Sequence, residues 1–167
     1  MSESKTEGTV PGACLCEAIQ YELDLPTLGS VHCHCTMCRR WNGAGYTTWC
    51  AVAKDHLRIL SGKEQMVRYQ SSDHAGRFFC SVCGSSLFGD SSRTPDNMYI
   101  VMGPLEGEID IAPLAHQSIE CKAPYITIGD DLPQMEFPRS TGLGRQSCGV
   151  SSSPAPSHCG KSSPMAI

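Results

Sequence analysis

Three compact cysteine clusters constrain this chain more than any other feature: Cys14 and Cys16 as C-x-C, Cys33, Cys35 and Cys38 as C-x-C-x-x-C, and Cys80 and Cys83 as C-x-x-C-G. Together they use seven of the eleven cysteines. A tetrahedral zinc closed by protein takes four ligands, whereas a reactive zinc keeps three and leaves one position open. Seven thiolates therefore divide into one closed structural site and one open site. Disulfides and packing cysteines are the competing readings. The opening MSESKTEGTV is polar and lacks the apolar core of a secretory signal, so a reducing, cytoplasmic setting is expected. There, clustered cysteines more often bind metal.

The 167 residues suit one domain. From Arg139 onward the sequence is dominated by serine, glycine and proline, a composition that buries too little surface to offset its ordering entropy. The expected layout is a flexible N-terminus over 1–8, a zinc domain over 9–138 and a disordered tail over 139–167. Cys148, His158 and Cys159 fall in that tail and read as free groups rather than ligands. Net charge is -4, with no basic run beyond Arg39 and Arg40, which argues against general nucleic-acid binding. No stretch approaches the roughly 20 apolar residues of a membrane span. Oligomeric state is not encoded in any pattern here.

Short extended segments punctuated by turn residues every eight to twelve positions predict a mainly β fold of antiparallel strands. Strands are expected over AIQYEL from Ala18, YTTWCAV from Tyr46, LRIL from Leu57, QMVRY from Gln65, NMYIVM from Asn97 and YITI from Tyr125. A single helical turn is expected over Thr36 to Trp41. On a strand, residues two apart share a face, so Cys14 and Cys16 should converge on one ion, as should Cys33 and Cys35. Cys80 to Gly84 reads as a zinc-knuckle turn, with the glycine letting the backbone fold back toward sulfur. Pairing it with Cys14 and Cys16 gives the structural site. Cys33, Cys35 and Cys38 then form the open one, with Cys50 the best candidate to close it. Alternation points His32 and His34 away from it, as surface or supporting residues.

Three thiolates more than neutralise zinc, so the ion is a poor activator of water. An incoming thiol, deprotonated yet electron-rich, suits it better, and carbon–sulfur bond formation or cleavage is the matching chemistry.

The segments GACLCEAIQYEL, HCHCTMCRRWNGAGY, YQSS with RFFCSVCGSSLF, and APLAHQSIECKAPYITIGDDLP resemble the glutathione-dependent formaldehyde-activating enzymes, grouped with centromere protein V. The resemblance implies a β-tent fold with two zinc ions. It places structural ligands at Cys14, Cys16, Cys80 and Cys83 and a catalytic zinc at Cys33, Cys35 and Cys38. It also implies S-(hydroxymethyl)glutathione synthase activity, a carbon–sulfur lyase in the cleavage direction, with glutathione as cosubstrate. The chain departs from the family pattern at Glu17, where glycine is usual, and at Cys121 and Tyr125, in place of serine and tryptophan.

Arg39 or Arg40 could pair with a substrate carboxylate, and His116 could carry a proton to or from a carbonyl oxygen. Each also has an ordinary structural explanation. Tyr46 and Trp49 read as core or pocket wall, and Arg77 as a buried salt-bridge partner. The expected partners are a small thiol and a small electrophile. Two other readings stand beside this one: a lyase or isomerase step on another metabolite, and a zinc-stabilised protein-binding module.

Overall fold

The computed structural model describes residues 7–106 and 111–136. The expected tail over 139–167 and most of the expected flexible N-terminus lie outside the described residues. Eleven strands are present among them: β1 (Thr9–Ala13), β2 (Gln20–Asp24), β3 (Gly29–Cys33), β4 (Thr47–Ala53), β5 (Leu57–Ser61), β6 (Met66–Ser72), β7 (Ala75–Cys80), β8 (Ser86–Ser91), β9 (Asn97–Val101), β10 (His116–Gln117) and β11 (Gln134–Met135). They build two sheets. A small antiparallel sheet runs β1-β2-β5, and a large one runs β11-β10-β3-β4-β9-β8-β7-β6. The large sheet is antiparallel except at one edge, where β10 lies parallel to both β3 and β11.

The expected strands at Ala18, Tyr46, Leu57, Gln65 and Asn97 correspond to β2, β4, β5, β6 and β9. YITI from Tyr125 does not form a strand. Its alternation is genuine, yet the run follows a 3-10 turn at Ile119–Cys121 and a turn at Pro124–Tyr125 and finds no partner edge. β1 was not readable, because TVPGA carries a proline and a glycine that depress strand propensity. Gly12 is required there by a neighbour: a Cβ at that position would collide with the ring of Tyr21 on β2, its register partner.

The core lies between the sheets. Val10, Tyr21 and Leu23 of the small sheet pack with Cys50, Val52, Leu87, Phe88, Met98 and Ile100 of the large one. Tyr21 meets Phe88 edge to face at 4.7 Å between ring centroids. The opposite face of the large sheet carries a second cluster of Cys35, Cys38, Trp49 and Val101. Alternation along β4 and β9 divides the two: Cys50 and Ile100 point into the core, Trp49 and Tyr99 to the other side.

α1 (Thr36–Asn42) is the one α-helix among the described residues, slightly longer than the expected turn. Cys35 caps its start and Gly43, in the left-handed region at φ 62°, ends it by donating its N–H to the Arg39 carbonyl. No helix among the described residues is long and apolar enough to cross a membrane.

Gly62 occupies the left-handed region at φ 71°, and a Cβ there would run into the backbone of Ala18. Gly62→Ala should therefore lower stability by about 1–3 kcal/mol, read as a shifted denaturant midpoint. A value within about 0.5 kcal/mol of the parent would contradict this close approach.

Candidate functional site

Two groups of cysteines bring their sulfurs within 4.8 Å of one another: Cys14, Cys16, Cys80 and Cys83 in one, and Cys33, Cys35 and Cys38 in the other. In the first group, Cys14 and Cys16 sulfurs lie 3.5 Å apart and Cys16 and Cys80 sulfurs 3.8 Å apart. A tetrahedron with metal–sulfur arms of about 2.3 Å has edges of about 3.8 Å, so the spacing fits a zinc-sized ion.

The local route to this convergence differs from the strand alternation expected. Cys14 and Cys16 lie just past the end of β1, in a turn closed by the Glu17 N–H donating to the Cys14 carbonyl at 2.8 Å. Leu15 between them is 85% exposed, and of the two cysteines Cys14 is buried while Cys16 is exposed, so the site sits at the surface with one ligand facing solvent. The opposing half is the Cys80–Gly84 knuckle. Gly84, at φ 77°, donates to the Cys80 carbonyl at 2.9 Å. The Ser85 hydroxyl ties the halves together, lying 3.2 Å from the Cys83 sulfur and accepting the Leu15 N–H at 2.9 Å. That hydroxyl is the main reason the Cys83 thiol is held down to about 5. The Ile19 N–H donates to the Cys14 sulfur at 3.3 Å.

In the second group, Cys33 ends β3, Cys35 caps α1 and Cys38 lies inside that helix. The Cys38 N–H donates to the Cys35 sulfur at 3.3 Å. Cys33 and Cys35 therefore converge through a strand-to-helix turn, not along one strand. Cys38 receives two further donors, Trp49 Nε1–H at 3.4 Å and Arg77 Nη2–H at 3.5 Å. Hydrogen bonds from Cys33 and Cys35, with the Arg77 charge adding to them, hold the Cys38 thiol well below its ordinary range. Arg77 is buried with its guanidinium over the Trp41 and Trp49 rings, at 5.9 and 5.5 Å. It serves a sulfur, where a carboxylate partner was expected.

Cys50 does not join this group. It is 0% exposed, packs in the core between the sheets, and faces away from the side that carries Trp49. Burial pushes its thiol up to about 12, as for a thiol with no charge partner.

Cys33 and Cys38 open onto a cleft of about 590 Å³ on the outer face of the large sheet. Its apolar wall includes Leu28, Val31, Trp49, Ala51, Tyr99 and Leu114, and its polar groups include Arg77, Asp90, Arg93 and Gln117. Arg39 and Arg40, the expected anion binders, are on α1 and do not line this cleft. Arg40 is exposed, while Arg39 keeps a buried Nε without a partner among the described residues.

His116 sits on β10 beside Gln117, which lines the cleft, and so points to the other face of the sheet. There its Nδ1 is 2.8 Å from His34 Nε2, and its Nε2 is 3.1 Å from an Asp130 carboxylate oxygen. His34 is 0% exposed, which excludes the surface position and leaves the supporting one of the two expected for it, and burial first, then His116, pushes it down to about 4. Asp130 is held below the usual carboxylate range by the Leu132 N–H and by His116. His32 and Tyr46 pack around the same rings in edge-on and tilted contacts. His34 and His116 were each visible in the sequence, but their link across the sheet from the cysteines, and the part of Asp130 in it, was not, because three separate segments meet there.

Two outcomes follow. Glu17 adopts φ 58°, a left-handed conformation in a residue other than glycine. Glu17→Gly should raise stability by about 1 kcal/mol by relieving a left-handed backbone, and an unchanged or lower melting temperature would contradict that strain. Cys50→Ala should leave metal content and cleft-site chemistry unchanged while costing about 1–3 kcal/mol of core packing. Loss of a metal ion in that variant would place Cys50 in a coordination shell.

The comparisons agree with the geometry. The family described as glutathione-dependent formaldehyde-activating enzyme matches residues 9–121, which includes all seven clustered cysteines. An uncharacterised lyase of Schizosaccharomyces pombe is 34% identical over 79 residues, covering 46% of this chain and 54% of the relative, so the match spans about half of that protein's length. A Halomonas elongata protein named as a putative glutathione-dependent formaldehyde-activating enzyme is 26% identical over 125 residues, covering 70% of this chain and 79% of its own. A Rhodobacter sphaeroides crystal structure superposes with a TM-score of 0.52 at 25% identity, covering 60% of this chain and 91% of that one. With the family match spanning well over half of its length, the chain belongs to the glutathione-dependent formaldehyde-activating enzyme family.

Proposed function

We propose that this protein is a zinc-dependent carbon–sulfur lyase that forms or cleaves the adduct of a small thiol, glutathione by family, with an aldehyde or related small electrophile. The observation that carries the reading is a three-cysteine cluster, two of whose members border a cleft, while Cys50, the residue expected to close it, is turned into the core. The names of the S. pombe and H. elongata relatives support the lyase class.

In this reading Cys33, Cys35 and Cys38 hold the catalytic zinc and Cys14, Cys16, Cys80 and Cys83 a structural one. A zinc bound by three thiolates supplies a seat that favours the thiolate form of an incoming thiol. The protein's own contribution begins at Cys38, whose sulfur accepts from Trp49 and Arg77. Those donors draw negative charge off the ligand set, which offsets the surplus of three thiolates around a divalent ion. The apolar wall of Trp49, Val31 and Tyr99 keeps water from competing for the electrophile. In the forward direction a carbon–sulfur bond forms, the carbonyl π pair moves to oxygen, and the proton released by the thiol ends on that oxygen. No electrons are gained or lost overall.

His116 acts here as a positioning residue. Lying across the sheet, it braces His34 against Asp130 and thereby fixes the turn that carries Cys33 and Cys35.

Exchange NMR of glutathione with formaldehyde tests the reaction above its uncatalysed background. Cys35→Ala should lower the enzymatic exchange rate on the order of 100-fold or more and remove about one zinc per chain, with the fold retained. Cys80→Ala should reduce soluble yield and melting temperature first. Undiminished exchange in Cys35→Ala would overturn the proposed site, and unfolding of both variants alike would make both ions architectural.

A further inference from the structure

The cleft beside Cys33 and Cys38 is not uniform in charge. Asp90, Arg77 and Arg93 are the acidic and strongly basic side chains along it, and His74 lines it too. Two of the three are already committed. Asp90 receives Nε–H and Nη2–H from Arg68, both at 2.8 Å, and the Gly76 N–H at 2.8 Å, so its negative charge is neutralised from behind. Arg77 is buried, sandwiched by tryptophan rings and directed at the Cys38 sulfur.

Arg93 is different. It lies in the turn joining β8 to β9, is exposed, and makes no ion pair among the described residues. Burial, followed by the Arg93 charge, lowers the affinity of His74 for a proton, so His74 adds no second cation at neutral pH. A guanidinium without an ion pair among the described residues, at the rim of a largely apolar cleft, is suited to a planar anion, above all a carboxylate.

We infer that Arg93 binds a carboxylate of the thiol substrate and makes the site selective for carboxylate-bearing thiols over neutral ones. This rests on the lyase reading, since it takes the sulfur end of the ligand to lie at Cys33 and Cys38. The position follows from strand geometry. Arg77 pairs with Gly89 in register, and Arg93 is four residues further along the chain, past the end of β8. At about 3.3 Å per residue its Cα is at most about 13 Å from that level, so a ligand bridging the two ends is of short-peptide length. Small thiols such as 2-mercaptoethanol reach the sulfur end alone. Arg39 and Arg40, on α1, do not border this path.

The test uses the cobalt-substituted full-length protein and reads the thiolate-to-cobalt absorption band during titration with three probes: glutathione, glutathione diethyl ester and 2-mercaptoethanol. The parent should bind glutathione about tenfold or more tightly than the diester, a preference that shrinks as salt is raised. Arg93→Ala and Arg93→Gln should abolish that preference and leave 2-mercaptoethanol affinity unchanged. Arg93→Lys should retain part of it. The exposed turn position makes these variants expected to fold, and a melting curve for each confirms it. Full retention of the preference in folded Arg93→Ala overturns the assignment of Arg93 while leaving the open thiol site standing. Absence of any thiol-induced band in the parent overturns the lyase reading and this inference with it.

Discussion

Strand β4 places adjacent residues on opposite faces of the large sheet, and the chemistry of the site depends on that alternation. Trp49 turns outward and donates to the Cys38 sulfur, whereas Cys50 turns inward and is sealed among Tyr21, Phe88 and Ile100. Moving Cys50 to the cleft side would require a one-residue slip of β4 against both β3 and β9, which would also drive Trp49 into the core. Register thus keeps a fourth cysteine away from a three-cysteine cluster. The cost of that slip is the whole pattern of the sheet, not a single contact.

The two cysteine groups perform different mechanical tasks. The four-cysteine group joins the end of β1 in the small sheet to the turn after β7 in the large one, with the Ser85 hydroxyl linking both halves. An ion held there would couple directly to the packing of one sheet on the other. The three-cysteine group instead gathers at the β3-to-α1 junction, where a strand end, a helix cap and a buried helical position meet. Behind it, the His34–His116–Asp130 chain braces the strand pair β3 and β10 from the opposite face. One group fastens the fold, and the other is held by it.

The cysteine clusters were legible because ligand spacing is local: each is written within six residues. The strands with clean alternation were legible for the same reason, as was the short helix after Cys35. The cysteine pairs themselves converge by another route, since turns past strand ends bring Cys14 to Cys16 and Cys33 to Cys35. β1 stayed hidden behind Pro11 and Gly12, and YITI carried a strand pattern without an available edge. The cleft was not legible at all. Arg77, Asp90, Arg93 and Tyr99 come together only through the pairing of β7, β8 and β9, and nothing in their local sequence announces a shared wall. Arg39 and Arg40, by contrast, are close to the cysteines in sequence but lie off the cleft in space.

Zinc K-edge absorption of the metal-loaded protein tests the open coordination position most directly. One four-sulfur and one three-sulfur ion predict about 3.5 sulfurs per zinc on average without added thiol, rising to about 4 when glutathione is added. A value of about 4 that does not change on addition of glutathione would mean that the polypeptide already fills both shells, and would contradict the account.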